Sequence, residues 1–154
     1  MKNKLLGIAF GIAILAAACG KVSVYNKSVD IPREKWSMDS LAVFKVDISD
    51  TLSIYDVYVN LRNTTTYANS NLFLFIETRS PSGAKLRDTL ECMLADPYGR
   101  WLGKGFGALR DNQIPYKRYV RFPEVGVYQF TIQHGMRTQS LKGIASVGIK
   151  VEQH

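Results

Sequence analysis

The sequence predicts an all-β fold: a single antiparallel β-sandwich of seven to eight strands, placed after an N-terminal lipoprotein signal peptide. Three observations carry this. Short runs rich in β-branched and aromatic residues alternate apolar with polar at a period of two. Gly, Pro, Asn and Asp bound those runs at the spacing of a sandwich. After residue 19, no stretch sustains a period of 3.6.

The elements follow in order. Leu41-Ala-Val-Phe-Lys-Val-Asp-Ile48 directs Phe44, Val46 and Ile48 inward and Lys45 and Asp47 outward. Ile54 to Leu61 is a second strand, with the polar segment Asn63 to Ser70 as its connection. Asn71-Leu-Phe-Leu-Phe-Ile-Glu-Thr78 is apolar on both faces, as a central strand is. Ser80-Pro-Ser-Gly83 has turn chemistry, because proline presets φ and glycine tolerates positive φ. Leu86 to Leu94 follows, ended by Asp96-Pro97. Tyr116 to Phe122 and Gly126 to Gln133 come next; in the latter Tyr128, Phe130 and Ile132 alternate with polar neighbours. Ile144 to Val151 closes the chain with Val147, Ile149 and Val151 on one face, and Thr138 to Leu141 reads as one helical turn.

A chain of 154 residues suffices for one domain, and 46% hydrophobic with 21% charged residues is globular composition. The formal charge is +7. Residues 1–19 hold two lysines and no acid, so the remainder carries 18 basic against 13 acidic residues, far from a nucleic-acid tail. Two cysteines and two histidines exclude a disulfide scaffold and argue against a zinc cluster.

The first residues read MKNKLLGIAFGIAILAAAC. Lys2 and Lys4 form a charged start, and the apolar run from Leu5 to Ala17 is shorter than the ~20 residues a spanning helix needs. Leu15-Ala-Ala-Ala-Cys19 resembles a bacterial lipobox, so residues 1–18 are expected as signal peptide and Cys19 as the lipidated residue. Two or more acyl chains give a lasting anchor. Residues 19–35 are then a tether and residues 36–154 the sandwich domain. Gly20-Lys-Val-Ser23 has no acidic sorting signal. The expected location is therefore the outer membrane, lipid-anchored and facing the periplasm. Cys92, in the apolar run Leu90-Glu-Cys-Met-Leu94, is expected to be a buried, inert thiol.

Catalytic and cofactor motifs fail on spacing. In Asp96-Pro-Tyr-Gly-Arg-Trp-Leu-Gly-Lys-Gly-Phe-Gly107, the glycines at 99 and 103 are too close for a phosphate loop, and Gly105 follows Lys104 where a hydroxyl is required. Ser146 lies in a strand-like run rather than at a strand-to-helix turn. His134 and His154 stand alone and read as surface residues. No catalytic residue, metal ligand, cofactor or nucleic-acid contact is expected. The glycine-rich segment is expected to be a shaped turn presenting Tyr98, Arg100, Trp101 and Lys104 as a candidate partner or ligand contact. Trp101 fits either that contact or a plug in one end of the sandwich.

The signal, Asn71-Leu-Phe-Leu-Phe-Ile76, Asp88-Thr-Leu-Glu-Cys-Met-Leu-Ala-Asp-Pro-Tyr-Gly-Arg-Trp-Leu-Gly-Lys-Gly105 and Gly126-Val-Tyr-Gln-Phe-Thr-Ile-Gln-His-Gly-Met-Arg137, followed by Leu141-Lys-Gly-Ile144, resemble the gliding motility lipoprotein GldH family of Bacteroidetes. The resemblance implies a non-enzymatic accessory lipoprotein of the gliding machinery, linked to type IX secretion, held by a lipid anchor and working with envelope protein partners. The alternative is a periplasmic sandwich that binds a small molecule, most naturally a glycan stacked on Trp101.

Overall fold

In the computed structural model, which describes residues 20–154, every one of the seven expected runs forms a strand. The elements are β1 (Val22–Asp30), β2 (Lys35–Ser37), β3 (Ala42–Ile48), β4 (Tyr55–Thr64), β5 (Asn71–Arg79), β6 (Lys85–Met93), β7 (Leu109–Val120), β8 (Gly126–His134), β9 (Ser140–Lys142) and β10 (Ile144–Gln153). They make two four-stranded antiparallel sheets, ordered β1-β10-β4-β7 and β3-β8-β5-β6, with a small ribbon of β2 and β9. Cys19 and the expected signal peptide, residues 1–18, lie outside the described residues.

The two sheets together hold eight strands, as expected of the sandwich, and the β2–β9 ribbon adds two short ones. Residues 22–30, expected as tether, are β1, an edge strand along β10 from Val22↔Gln153 to Asp30↔Ser146. An edge strand buries little: only Tyr25 is half-buried, so its sequence pattern is faint. Ser140–Lys142 forms β9 where a helical turn was expected, because pairing with Lys35–Ser37 overrides local preference. β2 and β9 have three residues each, too few to show a period.

One apolar cluster fills the space between the sheets. It joins Phe44, Val46 and Ile48 of β3, Val57, Val59 and Leu61 of β4, Leu72, Leu74 and Ile76 of β5, and the inward residues of β8 and β10. Trp36 of β2 seals one end at 1% exposure, and its indole N–H donates to the Ser40 carbonyl at 2.8 Å. Beside it lies His134, fully buried, with ring centroids 5.5 Å apart. The surface placement expected for His134 is therefore corrected. Tyr128, Phe130, Ile132 and His134 share one face of β8, and that face is the core. Burial holds the imidazole below its ordinary pKa.

Register defines two ends. At the basal end, Val22, Tyr55, Val120 and Gln153 lie across one row, with the turns 49–54 and 121–125 nearby. At the distal end, Thr64 pairs Leu109 and Asn63 pairs Ile144, and the glycine-rich segment emerges beside them. The ten residues of β4 separate the ends by about 30 Å.

Candidate functional site

The distal loop is shaped by hydrogen bonds within itself. Leu94 and Ala95 both donate to the Ser70 carbonyl, at 2.8 and 3.0 Å, which fixes where the loop leaves β6. The Asp96 carboxylate then accepts the N–H groups of Tyr98 and Arg100 at 2.9 Å each and the Arg100 Nε–H at 2.7 Å. The Arg100 N–H and guanidinium, together with the Tyr98 N–H, outweigh burial and hold this carboxyl below its ordinary range. Gly99, at φ +79°, closes the turn by donating to the Asp96 carbonyl at 3.0 Å. Farther on, Lys104 and Asp111 exchange backbone hydrogen bonds of 2.9 and 2.6 Å. Gly105 is required here: a Cβ would sit 2.4 Å from the Leu109 carbonyl oxygen.

The four candidates do not form one patch. Tyr98 is 85% exposed, and the Arg100 guanidinium lies 5.6 Å from its ring centroid. Trp101 turns the other way, half-buried against the core and bridged to Ala95. Lys104 is exposed on the return arm beside Asp111. The residue that sequence reasoning missed is Phe106, 99% exposed. Its signal is an aromatic flanked by two glycines, Gly105 and Gly107, both with positive φ. With Leu102 at 56% exposure, the loop presents Tyr98, Leu102 and Phe106 as unburied apolar side chains.

Elsewhere, Phe73, Phe75, Thr89, Gly135, Met136 and Arg137 line an open cavity of about 510 Å³ on the outer face of β5. Ser28, Asp30, Asn60, Arg62, Asp111, Gln113 and Ser146 line a depression of about 340 Å³ on the outer face of β1, β10, β4 and β7, with no aromatic ring in its lining. Cys92 is fully buried, and burial, with the Glu91 charge, pushes its thiol up to about 12. Among the described residues, no group of three His, Cys, Asp or Glu could hold a metal ion. No helix there is long and apolar enough to cross a membrane.

Residues 23–151 match the protein family described as GldH lipoprotein. The chain belongs to the GldH lipoprotein family. It is 40% identical over 146 residues to the gliding motility lipoprotein GldH homolog of Christiangramia forsetii, which covers 90% of this chain and 89% of that one. It is 33% identical over 160 residues to the gliding motility lipoprotein GldH of Flavobacterium johnsoniae, covering 99% of both. The GldH match begins within β1 and so includes a segment that the sequence reading left outside the sandwich. It also spans the whole distal loop. Membership of a lipoprotein family implies association with a membrane through a lipid anchor.

Proposed function

We propose that this chain is a non-enzymatic, outer-membrane-anchored component of the envelope machinery for gliding and its linked type IX secretion. Cys19 carries the lipid, and the sandwich stands in the periplasm. Its distal loop meets a protein partner. The observation that carries the last step is the exposure of Tyr98 and Phe106 on a loop held rigid by its own hydrogen bonds. Aromatic and arginine side chains on a preorganised loop bind at low entropic cost. The glycan alternative gains less support from the residue it names, since Trp101 is half-buried against the core rather than open to a sugar ring.

Variants of the loop separate contact from core. Tyr98→Ala, Arg100→Ala and Phe106→Ala should each shift unfolding by under about 1 kcal/mol, because exposed side chains contribute little to stability. Combined, they should abolish complementation of a strain lacking the protein. Trp101→Ala should instead cost about 2 kcal/mol, short of the full penalty for a completely buried ring. Normal complementation by the triple variant would remove the loop from the proposal. The topology is checked separately by protease treatment: intact cells should protect the domain, and permeabilised cells should not.

A further inference from the structure

The basal end holds the start of the chain tightly. β1 is paired from Val22 onward, and the Lys21 ammonium lies 2.6 Å from the Asp56 carboxylate. That carboxylate is fully buried on the outer face of β4; it also accepts the Tyr119 N–H at 2.9 Å and lies 3.0 Å from His154 Nε2. Lys21 stands two residues after Cys19, so at most about 7 Å of chain separates their Cα atoms. A lipid on Cys19 therefore leaves no leash: whatever surrounds Lys21 lies against the bilayer.

Those surroundings suit a membrane interface. Leu52 is 83% exposed, Tyr119 66% and Val125 62%, all on turns or strand ends of the basal end. Tyr119 adopts φ +54°, an uncommon conformation for a bulky residue, and its ring lies 5.3 Å from that of His154. The Arg118 guanidinium sits 5.1 Å from the Tyr119 ring centroid, and Arg121 Nε donates to the Leu52 carbonyl at 3.0 Å. Asp50 and Glu124 are engaged within the fold, by Leu52 and Ser53 and by Ser82 respectively, and Asp47 is exposed. Amphipathic rings and arginines are the side chains that settle at the headgroup level.

We propose that the basal end is a membrane-docking face. Leu52, Tyr119 and Val125 enter the interfacial layer, and Arg118 and Arg121 meet the phosphates of anionic phospholipids. Docking holds the domain upright and carries Tyr98 and Phe106 about 30 Å above the headgroups, where a partner protein reaches them. The proposal rests on the lipidation of Cys19.

The test uses the lipidated mature protein in phosphatidylethanolamine–phosphatidylglycerol vesicles containing headgroup-proximal doxyl lipid. Leu52→Cys and, separately, Phe106→Cys carry an environment-sensitive fluorophore; both sites are exposed, and buried Cys92 stays unlabelled. Quenching should be several-fold greater at position 52 than at position 106. Adding Arg121→Glu should reduce the quenching at position 52. Equal quenching at both sites would show a domain swinging freely on its anchor, and would overturn the docking face while leaving lipidation intact. Protection of position 52 that appears only at high protein density would assign the face to a second copy. Protein that fails to co-sediment with vesicles would overturn the lipid anchor and the docking face together.

Discussion

Replacing Trp36 with alanine is expected to lower stability by about 4 kcal/mol, the range for deleting a fully buried aromatic. For a domain of this size that displaces Tm by on the order of 15 °C. Three losses combine: the ring volume at 1% exposure, the 2.8 Å hydrogen bond to Ser40, and the edge contact with His134. The last has a pH consequence. The native state keeps His134 neutral with its pKa below 6.5, whereas the unfolded chain takes up a proton near that value. Stability should therefore be full above pH 6.5 and decline as pH falls below it. Thermal unfolding of His134→Phe across this range should show a flatter dependence than wild type. A Trp36→Ala loss under about 1 kcal/mol would mean that the β2–β9 ribbon does not close the core.

Asp56→Ala should cost about 3 kcal/mol and detach the chain start. Fully buried Asp56 accepts from Lys21 and from the Tyr119 N–H and lies close to Arg118 and His154, and its loss leaves the Lys21 ammonium and the Tyr119 N–H without their acceptor. Burial by itself would raise this carboxyl. The hydrogen bonds from Lys21, the Tyr119 N–H and His154 prevail, and hold it well below the ordinary 3.8. A depressed carboxyl contributes stability that is complete above that ordinary value and is lost as pH falls through it toward the folded value. Asp56→Ala should accordingly remove part of the acid-side fall in stability. Hydrogen exchange should report faster exchange of the β1 amides in the variant, with the β3–β8 amides unchanged. Unchanged β1 protection would show that strand pairing alone secures the chain start.

The sandwich was legible because its strands are half-buried: β3 and β8 each alternate without interruption, and every inward residue of β3 is in the core. β1 was missed because an edge strand with one half-buried side chain resembles a polar tether. β2 and β9 were missed because three residues carry no period. His134 was misplaced by weighing its type above its position, although the β8 alternation already put residue 134 on the core face.

For the site, glycine and proline content alone predicted a shaped turn over residues 96–107, and the Asp96 hydrogen bonds are its physical form. The direction of each side chain was not in the sequence. Tyr98 and Phe106 point outward and Trp101 packs inward because of the turn at Gly99 and the Ala95–Trp101 bridge, both products of three-dimensional closure. The Asp56 cluster was likewise invisible, since it joins residues 21, 56, 119 and 154 through sheet register.

A role in gliding that depends on a lipid anchor at Cys19 is open to a test by colony spreading. A Flavobacterium johnsoniae strain lacking its own GldH relative would receive this chain as wild type or as Cys19→Ser, with a clickable fatty acid in the medium. The wild-type protein should incorporate the fatty acid and restore spreading, and Cys19→Ser should do neither. Equal labelling of the two proteins, or spreading restored by Cys19→Ser, would contradict that role.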